Sequence, residues 1–232
     1  VFRQALLLGH LISLVALISG CDKEHNKERV QLTVRPIPLD KLHAHFPTGV
    51  FGANLAETVP GDIATVNPLV NESLAGSLVI GRILDSLVTL DPVDGTVIPN
   101  LAKSWKISED SLQYTFYLRE GVHWSDGHPF TAADVVFTWQ TFFAKKQDEI
   151  TGESMMNARG RPMYRYNSRS TFAQQINGQE PKVEMIDLHT VRFTTPEVYA
   201  PFLLFGGGEE ILPKHVLQNA FEDGTLMDQW SV

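Results

Sequence analysis

Cysteine is almost absent from this chain: Cys21 is the single one in 232 residues. One thiol cannot close an internal disulfide, so the fold has to rest on its apolar core, and the isolated cysteine needs its own account. Basic charge is scarce as well. Lysine and arginine number 19 against 27 acidic residues, a net charge of −8. A surface of that sign repels nucleic-acid phosphates, so no nucleic-acid partner is expected. There is no nucleophile elbow, no His-Glu-x-x-His and no thiol besides Cys21, which leaves open only a triad assembled in space. Internal repeats and low-complexity tracts are missing too. The apolar run at residues 5–20 falls short of the ~20 residues of a membrane span.

What is present suits a globular protein with a sizeable core: 43% hydrophobic and 20% charged residues. The short apolar run ends in Ile18-Ser19-Gly20-Cys21. That order is similar to a lipobox, so residues 1–20 are expected to be a signal peptide and Cys21 a lipidation site that anchors the chain to a membrane. Residues 21–48 mix charge with Pro36, Pro38 and Pro47; they suit a lipid-anchored tether and entry segment leading into a folded lobe over residues 49–232.

Periodicity places the elements of that lobe. A first strand is expected over residues 51–59, and a helix over 73–84 with Leu74, Leu78 and Ile83 near one face. Leu112, Tyr114, Phe116 and Leu118 alternate with polar positions, the pattern of a half-buried strand, between the turn Ser108–Ser111 and Glu120-Gly121. After Pro129 the period changes. Val135, Val136, Trp139, Phe142 and Phe143 recur at helical spacing, and Thr131 with Asp134 forms a shortened capping box, so a helix is expected over about 132–144. Val183 and Met185, then Val191 and Phe193, predict a hairpin around 187–190; a further helix is expected near Pro213. Strands interleaved with helices predict an α/β class.

Several blocks within this frame resemble a known family. They are Asp91-Pro92 with Gly95, residues 99–105 (PNLAKSW), Tyr114-Thr115-Phe116 through Val122, Trp124-Ser125-Asp126-Gly127, and Phe130 to Val135, with weaker agreement at Asn67-Pro68 and 211–215. Their joint order resembles the peptide- and nickel-type extracellular solute-binding proteins of bacterial ABC importers, family 5. Residues 84–87 and 149–179 depart from its pattern. The resemblance implies the N-terminal part of a two-lobed periplasmic-binding-protein-like fold with a mixed sheet, in a chain that is an N-terminal fragment of a longer protein. It implies a binding protein, not an enzyme, that captures peptides or similar small solutes outside the inner membrane. Its partners would be an ABC permease and ATPase and, through the lipid, the membrane on the periplasmic side. An exported enzyme or assembly factor on the same fold is the alternative.

On that resemblance Glu72-Ser73-Leu74 lies at the cleft and touches bound peptide, a carboxylate there suiting a peptide ammonium. Residues 155–169 (MMNARGRPMYRYNSR) combine arginines with Tyr164 and Tyr166, which could provide aromatic walls and cations for a ligand carboxylate. Both tyrosines join the candidate ligand contacts, against the plainer reading of a solvated loop. Asp126 occupies a turn, and the two histidines that straddle it, His123 and His128, need a third ligand that no local spacing provides, so neither a metal nor a cofactor is expected. Gly206-Gly207-Gly208 lacks the Lys-Ser/Thr ending of a phosphate loop and is expected to be a flexible turn.

Overall fold

The computed structural model describes residues 58, 60–166 and 168–229. Residues 1–20, Cys21, the tether and the strand expected over 51–59 lie outside the described residues, Thr58 apart. The described residues belong to a unit that runs from Gly49 to Val232.

Chain order is α1 (Leu74–Ile83), β1 (Val88–Leu90), β2 (Val97–Pro99), β3 (Ala102–Ile107), β4 (Gln113–Leu118), α2 (Ala132–Phe143), α3 (Arg169–Ala173), β5 (Lys182–Asp187), β6 (Thr190–Thr194), α4 (Phe202–Phe205) and α5 (Lys214–Asp223), closed by a 3-10 turn at Leu226–Asp228. β1 and β2 form a hairpin, and a second sheet runs β3-β4-β6-β5. All pairing among these strands is antiparallel, so parallel strands of a mixed sheet are not among the described residues.

The predicted alternation in β4 is observed. Tyr114, Phe116 and Leu118 are buried, as are Val191 and Phe193 of the neighbouring β6. α2 packs over β5 and β6 and also meets α5. Between the layers lies an aromatic cluster in which Phe202 sits 4.8 Å from Tyr114, 5.5 Å from Phe193 and 6.1 Å from Trp139, centroid to centroid.

Two parts of this frame escaped sequence reading. β3 pairs with β4 through a bulge between Ala102 and Ser104, and the extra residue destroys the period of two on which strand recognition relies. α1 forms where expected, but Leu74, Leu78 and Ile83 are exposed, and the buried residues are Ala75, Gly76 and Ile80. The leucines identify the helix; small residues make its packing face.

The triple glycine is also a correction. A Cβ on Gly206 would lie 2.6 Å from Cε2 and Cζ of Phe202, and one on Gly207 would lie 2.5 Å from the Leu203 carbonyl oxygen and 3.0 Å from Val88 Cγ2. The Gly207 carbonyl accepts from the Val88 N–H at 2.9 Å. Glycine is required here by close approach, so the segment is packed and not a flexible turn.

Four turns share one chemical device. Asp110, Asp126, Asp148 and Asp187 each accept a backbone N–H two residues on, from Leu112, His128, Ile150 and His189 at 2.8 to 3.1 Å. Such bonds favour the ionised carboxyl. For Asp126 and Asp187 that backbone bond is the main cause of a lowered pKa, for Asp148 a second one from the Thr151 N–H comes first, and for Asp110 the Ser108 hydroxyl does. A group whose folded pKa is depressed contributes stability above the unfolded carboxylate value of about 4, and that contribution is lost as pH falls through the folded value. The melting temperature is therefore expected to decline below about pH 4. Replacing all four by asparagine, which keeps an acceptor but does not titrate, is expected to flatten that decline. An unchanged acid limb in circular dichroism melts of the variant would reject this account.

Candidate functional site

The N-terminus of α1 is built by two small polar side chains. Ser73 Oγ accepts from the Gly76 N–H at 3.0 Å, and Asn71 folds over the same turn. Asn71 Oδ1 accepts from the Ser73 N–H and hydroxyl at 3.2 and 3.0 Å, and its Nδ2 donates to Ser77 Oγ at 2.9 Å. A side chain at Gly76 would fall on Asn71. Of the sequence candidates here, Glu72 is exposed, Leu74 is 65% exposed, and Ser73 is committed to the cap.

Beside this turn lies a cavity of about 570 Å³ lined by Asn71, Ser77 and Ile80 of α1, Leu90 of β1, one face of α3, and Phe205, Glu209 and Glu210. Within it Glu209 accepts from the Ser170 hydroxyl and, at 2.7 Å, from Gln174 Nε2, which also donates to the Phe205 carbonyl at 3.1 Å. Glu210 is positioned by an isolated bridge to Ser86. Its described lining carries two carboxylates, exposed apolar groups from Phe205 and Leu90, and no lysine or arginine. A site of this composition suits a solute with a cationic amine and an apolar portion.

Ser170, Gln174, Glu209 and Glu210 were missed from sequence. Their partners lie 35 to 39 residues apart, and only the Glu209-Glu210 pair after three glycines offered a local signal.

Tyr166 leaves the list of candidates for an open site. It is 2% exposed, its hydroxyl donates to the Phe221 carbonyl at 2.8 Å, and its ring packs on Phe221. Burial raises its pKa. Tyr164 is half-buried; its hydroxyl donates to Glu180 at 2.8 Å and accepts from Gln175 Nε2 at 2.9 Å. Burial, together with the carboxylate it donates to, pushes that phenol far above its ordinary range. The structure therefore separates the two tyrosines, and it brings neither to the cavity beside α1.

Asp126 and His128 meet a residue from a distant part of the chain. His215 Nε2 hydrogen-bonds Asp126 Oδ2 at 2.6 Å, and its ring stacks on His128 at 4.0 Å. His123 turns away, its Nδ1 against the Gly121 carbonyl at 2.8 Å.

Residues 96–223 match the model of the bacterial extracellular solute-binding proteins, family 5 Middle. The chain is 33% identical over 135 residues to the periplasmic alpha-galactoside-binding protein of Rhizobium meliloti, which covers 57% of this chain and 17% of the relative. It is 34% identical over 125 residues to di/tripeptide-binding protein 2 of Pseudomonas aeruginosa, 51% of this chain and 21% of that protein. Among solved structures, NikZ from Campylobacter jejuni in complex with Ni(L-His) superposes with a TM-score of 0.52 at 30% identity, over 69% of this chain and 27% of NikZ. The chain thus spans about a fifth of the length of the curated relatives named here. With more than half of its residues inside the family model, and with the α/β architecture of a solved relative, the chain belongs to the bacterial extracellular solute-binding proteins of family 5.

Proposed function

We propose that the protein is the substrate-binding component of an ABC importer, held on the periplasmic side of the cell envelope by a lipid on Cys21, and that its solute is a peptide or similar small molecule with a free amino group. The relatives named above are binding proteins of three different solute classes by name, so family membership leaves the solute open. The acidic cavity carries the choice. Glu210, with Glu209 in the same lining, offers charge for an ammonium. Glu72, exposed in the turn before α1, adds a further carboxylate for a peptide ammonium. Glu209 is engaged with Ser170 and Gln174, so its part is to hold α3 against the cavity, and Glu210 is the residue assigned to the solute. Ligand would favour a closed, permease-competent state by as much as it binds that state better.

Backbone amide NMR of the full chain, titrated with di- and tripeptides at millimolar concentration, tests this. Shifts are expected to cluster at residues 71–77, 170–174 and 209–210. N-acetylated peptides and the Glu210→Gln variant are each expected to weaken binding about tenfold, the loss of one charge-assisted hydrogen bond. Equal affinity for free and acetylated peptides, or no shifts with either, would overturn the assignment.

A further inference from the structure

α3 is a partition. Ser170, Ala173 and Gln174 face the acidic cavity, whereas Phe172 and Gln175 face a second cavity of about 590 Å³ on the other side of the helix. The charge of that second cavity is reversed. Lys146, Arg161 and Arg165 line it, and its described lining contains no aspartate or glutamate, in a chain whose net charge is −8. We propose that this cavity is a second binding site, distinct from the peptide site, for a small ligand that carries a carboxylate on an apolar or aromatic body.

The walls are held in place by backbone pairing. Residues 145–164 fold back on themselves through bridges Lys145 to Tyr164, Gln147 to Ser154 and Met156 to Pro162. The Lys146 N–H donates to the Met163 carbonyl at 2.8 Å, and the Met163 N–H to the Met155 carbonyl at 2.9 Å. Asn157 Oδ1 accepts from the Arg161 N–H at 3.1 Å, which fixes the turn that presents Arg161.

The cations differ in their freedom. Arg165 is clamped: its Nη2 donates to the Glu222 carbonyl at 2.9 Å, and its guanidinium lies over the rings of Tyr166 and Phe221 at 5.5 and 5.8 Å. A planar guanidinium held in this way is preorganised for a carboxylate. Within the described residues the side chains of Lys146 and Arg161 have no hydrogen-bond or ion-pair partner. Two carboxylates outside the lining bond to its residues: Glu180, held by the Tyr164 hydroxyl and by Lys145 Nζ at 3.6 Å, and Glu197, held by Asn177 Nδ2 at 2.7 Å. Neither pairs with Lys146, Arg161 or Arg165.

Apolar surface completes the chemistry. Phe172 is 59% exposed although Thr171 beside it is fully buried, and Met163, Pro162 and the Tyr164 ring extend the same lining. Cations alone would suit any anion; an exposed aromatic face beside them favours an organic acid over a hydrated inorganic one. The volume falls in the range of small-molecule sites, roughly 300–1,000 Å³.

The test is calorimetric titration of the full chain with phenylacetate, inorganic phosphate and benzyl alcohol. Phenylacetate is expected to bind, and the other two at least about tenfold more weakly. Arg161→Gln and Lys146→Gln, both at exposed positions, are expected to weaken phenylacetate about tenfold each while leaving the melting temperature and peptide-induced shifts at residues 209–210 unchanged. Phe172→Ser is expected to weaken phenylacetate and leave phosphate unaffected. Phosphate binding as well as phenylacetate would reduce the cavity to a nonspecific anion site and overturn the proposal, as would no binding by phenylacetate. Failure of the peptide assignment would instead appear as loss of shifts at residues 71–77 and 209–210, with phenylacetate binding intact.

Discussion

Phe202→Ala is expected to lower the unfolding free energy by about 4 kcal/mol, within the range for phenylalanine deletions from packed cores. Phe202 is 1% exposed and contacts three aromatic rings contributed by β4, α2 and β6. Its removal leaves a void where the sheet, the covering helix and the glycine turn converge. Gly206 and Gly207 cannot fill that void, because the backbone there is fixed by Val88 and by the chain's own carbonyls. Against a typical total of about 5–15 kcal/mol, such a loss is a large fraction of the whole. Urea unfolding followed by tryptophan fluorescence measures it. A change below about 1 kcal/mol would show that the cluster collapses around the gap and that this ring is not a centre of the core.

Asp134→Asn is expected to cost about 3 kcal/mol, from one lost cap and the buried donor that it orphans. Asp134 is 3% exposed, and its two oxygens serve different helices. Oδ2 accepts from the Thr131 N–H at 2.9 Å, completing the capping box of α2, and Oδ1 accepts from the Lys214 N–H at 3.0 Å, the first turn of α5. Pro213 precedes α5 and supplies no side-chain cap, so Asp134 caps that helix from 80 residues away. Both helix N-termini favour negative charge at this point. An asparagine can keep one acceptor, but its NH₂ then faces a backbone N–H. One turn of α2 further on, Thr138 Oγ1 accepts from the Leu212 N–H at 2.9 Å, so α2 holds residues 212–214 at two points. The expected signature is loss of stability with early exchange of either the Thr131 or the Lys214 amide, whichever loses its acceptor. Unchanged protection of both amides would refute the shared-cap assignment.

These two residues mark how far the sequence was legible. Thr131 and Asp134 announced the start of α2, because a capping box is a local pattern. Nothing local announced that the same carboxylate also caps α5, since that contact depends on where a chain segment 80 residues later comes to lie. β4 and the β5–β6 hairpin were readable from strict alternation; β3 was not, because a bulge broke it. The Leu74, Leu78 and Ile83 pattern found α1 and misplaced its buried face, since Ala75 and Gly76 allow closer approach than a leucine would.

The candidate site followed the same division. Glu72 to Leu74 were selected from a resemblance, and the structure sets Asn71 and Ser77 of the same turn in an acidic cavity whose other wall comes from residues 170–174 and 205–210. Tyr164 and Tyr166 look alike in sequence, yet one borders a basic cavity and the other is core.

By itself, the sequence determined what near neighbours along the chain decide: the periods of β4 and α2, the turns at 108–111 and 187–190, the α/β class, and the ordered motif blocks of family 5. Tertiary structure alone decided which face of each helix is buried, why three consecutive glycines are needed, and that α3 stands between an acidic cavity and a basic one. The physical reason is range. Hydrogen-bonding periodicity and turn chemistry act over a few residues, whereas burial and local charge arise from side chains brought together by folding.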